Sequence, residues 1–156
     1  MIESFNMQGF ITLEKEYIDG TKEIVYKGKN LIVNTGKYLT LLQLCYVGAG
    51  TPITYAKVGT GGASDPSGLI LKIPSLSMTD LYTPLASVAA SQISSTPIPP
   101  TVSLVASVDS TQGNGNKINE AGFFNSNNLM FNITTFPYIL KDSSFTLNIR
   151  WDITIS

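Results

Sequence analysis

Histidine is missing from this 156-residue chain, cysteine occurs once, and charged side chains make up only 13% of it. The first absence removes the commonest general base, the commonest metal ligand and the usual pH switch. A Ser-His-Asp triad and a His-based zinc site are excluded. Cys45 stands alone, so no internal disulfide forms. Soluble domains are usually about a quarter charged, so this surface must be covered by Ser, Thr, Asn and Gly. The net charge of −1 offers no basic footprint for nucleic acid and no polybasic patch for a membrane.

Long apolar runs are also scarce. The longest stretch, YLTLLQLCYVGAG, is too short and interrupted for a bilayer, which takes about 20 apolar residues. The opening MIESFNMQGF carries Glu3 where a secretory signal would be basic. The expectation is a protein made in the cytoplasm and not exported by a signal of its own.

What is present is alternation. In the closing SFTLNIRWDITIS, the residues Phe145, Leu147, Ile149, Trp151, Ile153 and Ile155 alternate with polar neighbours, the period of a half-buried strand. An apolar face of that size predicts a sheet member rather than a loose tail. GFITLEKEYIDGTKEIVYKG predicts a hairpin turning at Asp19-Gly20, with Ile11, Leu13 and Tyr17 facing Ile24 and Tyr26 across it. Tyr38, Leu41, Leu42 and Cys45 fall at helical spacing after Asn34 or Thr35 as cap, predicting one helix. ITYAKVGTGG predicts a strand running into a glycine turn. No charge occurs from Leu81 to Val108, and Pro84, Pro97, Pro99 and Pro100 fall there. The prolines argue against a central strand and predict an extended arm or loop around 81–100. VSLVASV, INEAGFF and LMFNITTF complete the strand-like runs, with Pro137 and KDSS before the last one. Neither a repeat nor a linker divides the chain. The expected fold is a single all-β domain over 1–156, an antiparallel two-sheet sandwich with one short helix.

Candidate chemistry is thin. VGTGG, Val58–Gly62, lacks the Gly-Lys-Ser/Thr and following helix of a phosphate loop, and reads as a plain turn before it reads as an anion nest. Glu14 and Glu16 lie on one strand face about 7 Å apart, compatible with a glycosidase pair. Beside Lys15 and Lys22 they read instead as a solvated face. Glu120, between apolar residues, is expected to form a structural ion pair with Lys141 or Arg150. Cys45 reads as an inert core thiol and Trp151 as core rather than a sugar platform. Asn132 heads a glycosylation sequon that reads as chance without a secretory signal. The acids are scattered, without calcium-loop spacing. No catalytic, cofactor-binding or metal-binding residue is assigned.

KNLIVNTGKYLTLLQL followed by ITYAKVGTGG resembles a pattern in structural proteins of tailed bacteriophages, where a strand leads to a short helix and then to a strand ending in a Gly-Thr-Gly turn. INEAGFFNSNNLMFNITTFPYILKDSSFTLNIRWDITI resembles their C-terminal half, with Asn-Glu-x-Gly-Phe-Phe, Thr-Phe-Pro, a Lys shortly after and a closing strand with Trp. The resemblance implies a non-enzymatic virion component, assembled in the host cytoplasm. It is either a jelly-roll-like capsid decoration or cement protein, commonly trimeric, or a tail, neck or baseplate accessory. The implied partners are the major capsid protein or other virion proteins and further copies of the chain, without cofactor, nucleic acid or membrane. A carbohydrate or receptor-binding module is the alternative of a different class. It would draw on Tyr17, Tyr26, Tyr55, Tyr82 and Tyr138.

Overall fold

The computed structural model describes residues 6–45 and 51–156, with the side chains of Leu44 and Cys45 left out. The expectation for the Cys45 thiol thus lies outside the described residues. Strand β1 (Met7–Tyr17) turns into β2 (Lys22–Ile32), and helix α1 (Asn34–Cys45) leads to β3 (Ile53–Gly59). After a long excursion come β4 (Pro84–Pro97), β5 (Pro100–Val108), β6 (Lys117–Asn125), β7 (Asn132–Leu140) and β8 (Phe145–Ile155).

The all-β class and the short helix are as expected, but the jelly-roll-like two-sheet sandwich is not. The strands close into one eight-stranded antiparallel barrel, in the order β1-β2-β7-β6-β3-β4-β5-β8. Alternation reports which face of a strand is buried. It is the same whether that face meets a second sheet or the inside of its own rolled sheet. Only the pairing of the edges distinguishes the two, and that information is long-range.

The closing strand is central. All of β8 pairs with β1, and Leu147–Thr154 pairs with β5 on its other side. Its inward residues Phe145, Leu147, Ile149 and Trp151 are buried with Ile11, Leu13 and Phe123. In the β1–β2 hairpin, Leu13 faces Tyr26 but Glu14 faces Ile24, so Val25 is an extra residue. The bulge sends Ile24 outward, and it is exposed rather than facing the core.

Residues 84–97, expected as an arm, form a barrel strand. Pro84 is its first residue and Pro97 its last, while Pro99 and Pro100 make the turn and open β5. The interior, residues 85–96, contains no proline, so the ladder loses no donor there. Its first half pairs with β3 and its second half with β5. Likewise Pro137 does not end β7. It sits where the β6–β7 register shifts, between Thr135 and Ile139.

Beta-strand β6 is buried on both faces. Phe123 joins the barrel core, while Phe124 packs outside the wall with Val33, Leu81, Met130 and Ile133. That double burial is why INEAGFF shows no clean alternation. The barrel closes weakly between β2 and β7, through Leu31–Ile133 and Ile32–Asn132. Farther along, Tyr26 spans the seam onto Phe136, ring centroids 5.6 Å apart. Helix α1 lies across the barrel mouth. A Cβ on Gly36 would stand 2.1 Å from the Phe131 carbonyl oxygen, so only glycine allows this approach. The approach turns Leu39 inward and leaves Tyr38 and Leu41 in solvent, contrary to the expected face.

Candidate docking surface

The excursion from β3 to β4, residues 60–83, is rooted on β6. Glu120 is fully buried there, but it has neither expected cation. Its Oε1 accepts from the backbone N–H of Gly61 (2.9 Å) and Thr83 (2.8 Å), and its Oε2 from Tyr82 N–H (2.9 Å). Next to it, Asn119 Oδ1 accepts from Gly62 N–H (2.7 Å). The glycine turn therefore receives an anion after all, the chain's own carboxylate, which closes both ends of the excursion onto one strand. Lys141 instead donates to the Asp142 carbonyl (2.7 Å) and Asn114 Oδ1 (3.3 Å), and Arg150 pairs with Asp152 (3.0 Å). Opposite charge in the sequence pointed to an ion pair. The amides that won are supplied by every residue and leave no compositional trace, although a lone acid among apolar strand residues near a Gly-rich turn is the available hint.

Between its roots the excursion is tied down throughout. The Asp65 carboxylate accepts from Ile70 N–H (2.6 Å), Leu69 N–H (3.3 Å) and the Ser67 hydroxyl. The Ser67 hydroxyl and the Ile70 amide hold this carboxyl below its ordinary range. Ser64 N–H donates to the Ile70 carbonyl (2.8 Å) and Lys72 N–H to that of Gly62 (2.8 Å). The Thr135 hydroxyl reaches the Lys72 carbonyl (2.8 Å), Tyr82 reaches that of Ile73 (3.2 Å), and Asn34 N–H reaches that of Leu76 (2.9 Å). On the return, Asp80 pairs with Lys57 (2.8 Å), whose ammonium lies 4.3 Å from the centre of the Phe124 ring.

On this fixed frame Leu69 is 83% exposed, Ile70 63% and Ile73 91%. Apolar side chains scattered singly on a surface are ordinary. Three within five residues of a loop hydrogen-bonded at Asp65, Ile70 and Lys72 are a built apolar projection whose ordering cost is largely met before any partner arrives.

The other residues singled out in the sequence lie elsewhere. Glu14 and Glu16 are both bridged by Lys22 (3.4 and 3.5 Å) and by the Asn148 amide, on the outer face of the barrel. The Asn148 hydrogen bond, then Lys22, holds Glu16 below its ordinary range. Trp151 is core, stacked on Phe123 with centroids 5.2 Å apart, and its Nε1 donates to the Asn30 carboxamide oxygen (2.8 Å). Asn132 is buried, its Oδ1 accepting from Phe123 N–H (2.8 Å), so the folded chain presents no sugar acceptor there. Tyr17, Tyr26 and Tyr55 each pack on a different phenylalanine and make no shared platform with Tyr82 and Tyr138. Among the described residues, no three His, Cys, Asp or Glu side chains converge as metal ligands, and no helix is long and apolar enough to cross a membrane.

The chain was compared with family models, curated proteins and solved structures, and none of them matches it.

Proposed function

We propose that this chain is a non-enzymatic structural protein of a tailed-bacteriophage particle, decorating or cementing the capsid; the second placement is at the tail, neck or baseplate. It assembles in the host cytoplasm, as a homo-oligomer and against the major capsid protein or other virion proteins. Two things support this. The blocks at 29–62 and 118–155 resemble such proteins, and the excursion holds Leu69, Ile70 and Ile73 in water on a rigid frame. The second observation carries the reading. A projection of this kind gains about 1.5–3 kcal/mol for each large apolar side chain it fully buries, and the barrel behind it serves as an incompressible block.

The test is a Leu69→Asp/Ile73→Asp double variant supplied to the phage in place of the native chain. Both sites are exposed, so the melting temperature should move by no more than a few degrees, while copies per purified particle fall at least tenfold. Incorporation at the wild-type level would remove this surface from the assembly. Absence of the native chain from particles would remove the virion role itself. A copy number following the shell lattice assigns the capsid, and one following the tail's rotational symmetry assigns the tail.

A further inference from the structure

Lysine is almost never fully buried unless it is paired. Lys141 is fully buried just past the end of β7. Among the described residues, the ion pairs belong to Lys22, Lys57 and Arg150, and none to Lys141. Its Nζ donates instead to two neutral oxygens, the Asp142 carbonyl (2.7 Å) and Asn114 Oδ1 (3.3 Å), and lies 4.9 Å from the centre of the Phe145 ring. Burial pushes the ammonium below its ordinary range, against the pull of Asp142 and Asp109, and so raises the share of the neutral, nucleophilic amine.

The carboxamide that Lys141 faces is held from its other side, where Asn114 Nδ2 donates to the Ser110 carbonyl (2.9 Å). The two turns are locked together around this contact. Gly115 N–H donates to the Lys141 carbonyl (2.8 Å), and Lys141 N–H to that of Asn116 (3.0 Å). The first of these bonds also occupies a competitor. In an Asn-Gly pair the glycine nitrogen is the ordinary attacker of the asparagine carboxamide, and here its N–H is engaged with Lys141. The carbonyl carbon stands about 1.2 Å beyond Oδ1. The amine is thus close to the separation of roughly 3–3.5 Å at which two fixed groups react as one molecule.

We propose that Lys141 and Asn114 join in an isopeptide bond that staples the open end of the β6–β7 hairpin. Nζ attacks Cγ, the Nζ–Cγ bond forms and the Cγ–Nδ2 bond breaks. Nζ gives up two of the protons of its ammonium, and Nδ2 carries both away as it leaves as ammonium. Asp142 and Asp109, the carboxylates that act on Lys141, are the groups placed to relay them. The leaving group departs into water, since Asn114 is exposed. The product suits the site. A buried charge becomes a neutral amide, and the one N–H that remains keeps the Asp142 carbonyl as its acceptor. The strand it secures is held lightly on its other side, because β7 meets β2 through only Leu31–Ile133 and Ile32–Asn132. The bonded Lys141 no longer titrates, so any alkaline dependence that this side chain gives to stability belongs to the unbonded chain. This inference does not depend on the virion role.

The test is the intact mass and a denaturing tryptic map of the full chain, taken after purification and again after long incubation at mildly alkaline pH. The bond should leave the chain lighter by one ammonia and block cleavage after Lys141. It should also yield a branched peptide that joins the segment ending at Lys117 to the one beginning at Ile118. Asn114→Ser, at an exposed position, should fold and keep both its full mass and a cleavable Lys141. Lys141→Arg should also keep its full mass. The proposal is overturned by a wild-type map in which Lys141 is cleaved and unbranched at both times, which leaves it a hydrogen-bonded ammonium. It is overturned equally by a loss of ammonia that persists in Lys141→Arg, which assigns the loss to ring closure between Asn114 and Gly115.

Discussion

Four turns of the chain use one device, an aspartate followed two residues later by Ser or Thr. In Asp19–Thr21, Asp65–Ser67, Asp109–Thr111 and Asp142–Ser144 the carboxylate accepts from the later hydroxyl. Each carboxyl is held below its ordinary range, by that hydroxyl first. Asp-x-Ser/Thr occurs five times in the sequence, and the fifth, Asp152-Ile153-Thr154, lies within β8, so the pattern marks a turn only where no strand alternation runs through it. Lys141 was not legible in this way, since its burial comes from the folded barrel. Burial pushes its ammonium below the ordinary 10.5, against the opposing pull of Asp142 and Asp109. The unfolded chain therefore holds this proton more tightly than the folded one. The cost is in full force below the lowered value and is relieved as pH climbs through it toward 10.5. Melting temperatures of the wild type and Lys141→Met, compared from neutral pH upward, should show the wild type gaining on the variant through the alkaline range. A gap that stays constant with pH would show that Lys141 keeps an ordinary pKa.

The existence of most elements was readable from local pattern, even for β8, whose partners β1 and β5 are distant, whereas the face or edge an element uses was not where a distant partner sets it. The hairpin at Asp19-Gly20 and the helix after Val33 follow from turn chemistry and a change of period. The inward face of α1 does not, because it is chosen by Gly36 meeting the Phe131 carbonyl far along the chain. Beta-strand β4 was obscured by prolines that turn out to mark its two ends. The excursion shows the same division. Its glycine root was visible, but its closure by Glu120 requires β6. Replacing Glu120 with Ala leaves the amides of Gly61, Tyr82 and Thr83 without their acceptor. A buried unpaired group costs about 1–3 kcal/mol, and partial hydration of the loop should hold the total near ~3 kcal/mol. Urea unfolding should show that loss, and hydrogen exchange should accelerate at these amides before the barrel opens. Glu120→Gln should lose less, because one oxygen still serves Gly61 and Thr83. Equal midpoints for Glu120→Ala and wild type would mean that the carboxylate does not close the loop.

At the scale of the molecule, the closed barrel divides the apolar side chains between core and surface. Trp151, Phe123, Phe136 and Leu147 are fully buried in its core, while Leu69, Ile70 and Ile73 stand exposed on the excursion. Closure also makes the fold cooperative. Each strand is held from both sides, and losing one opens two ladders at once. Under the sandwich-and-arm expectation, removing Leu81–Pro100 would leave a folded body. In the barrel it removes β4, which joins β3 to β5, and takes Val88 out of the core, uncovering the buried residues around it. Removing Asp142 onward takes β8 from between β1 and β5, with Phe145, Leu147, Ile149 and Trp151. Buried strands of this size carry more free energy than the margin of a whole domain, about 5–15 kcal/mol. Both deletions should therefore abolish the cooperative thermal transition and the dispersion of amide signals in the magnetic resonance spectrum. The Leu69→Asp/Ile73→Asp chain should keep both. A cooperative melt from the Leu81–Pro100 deletion would mean that β3 and β5 can close the wall without β4, and that the second half of that strand is the detachable arm its composition suggests.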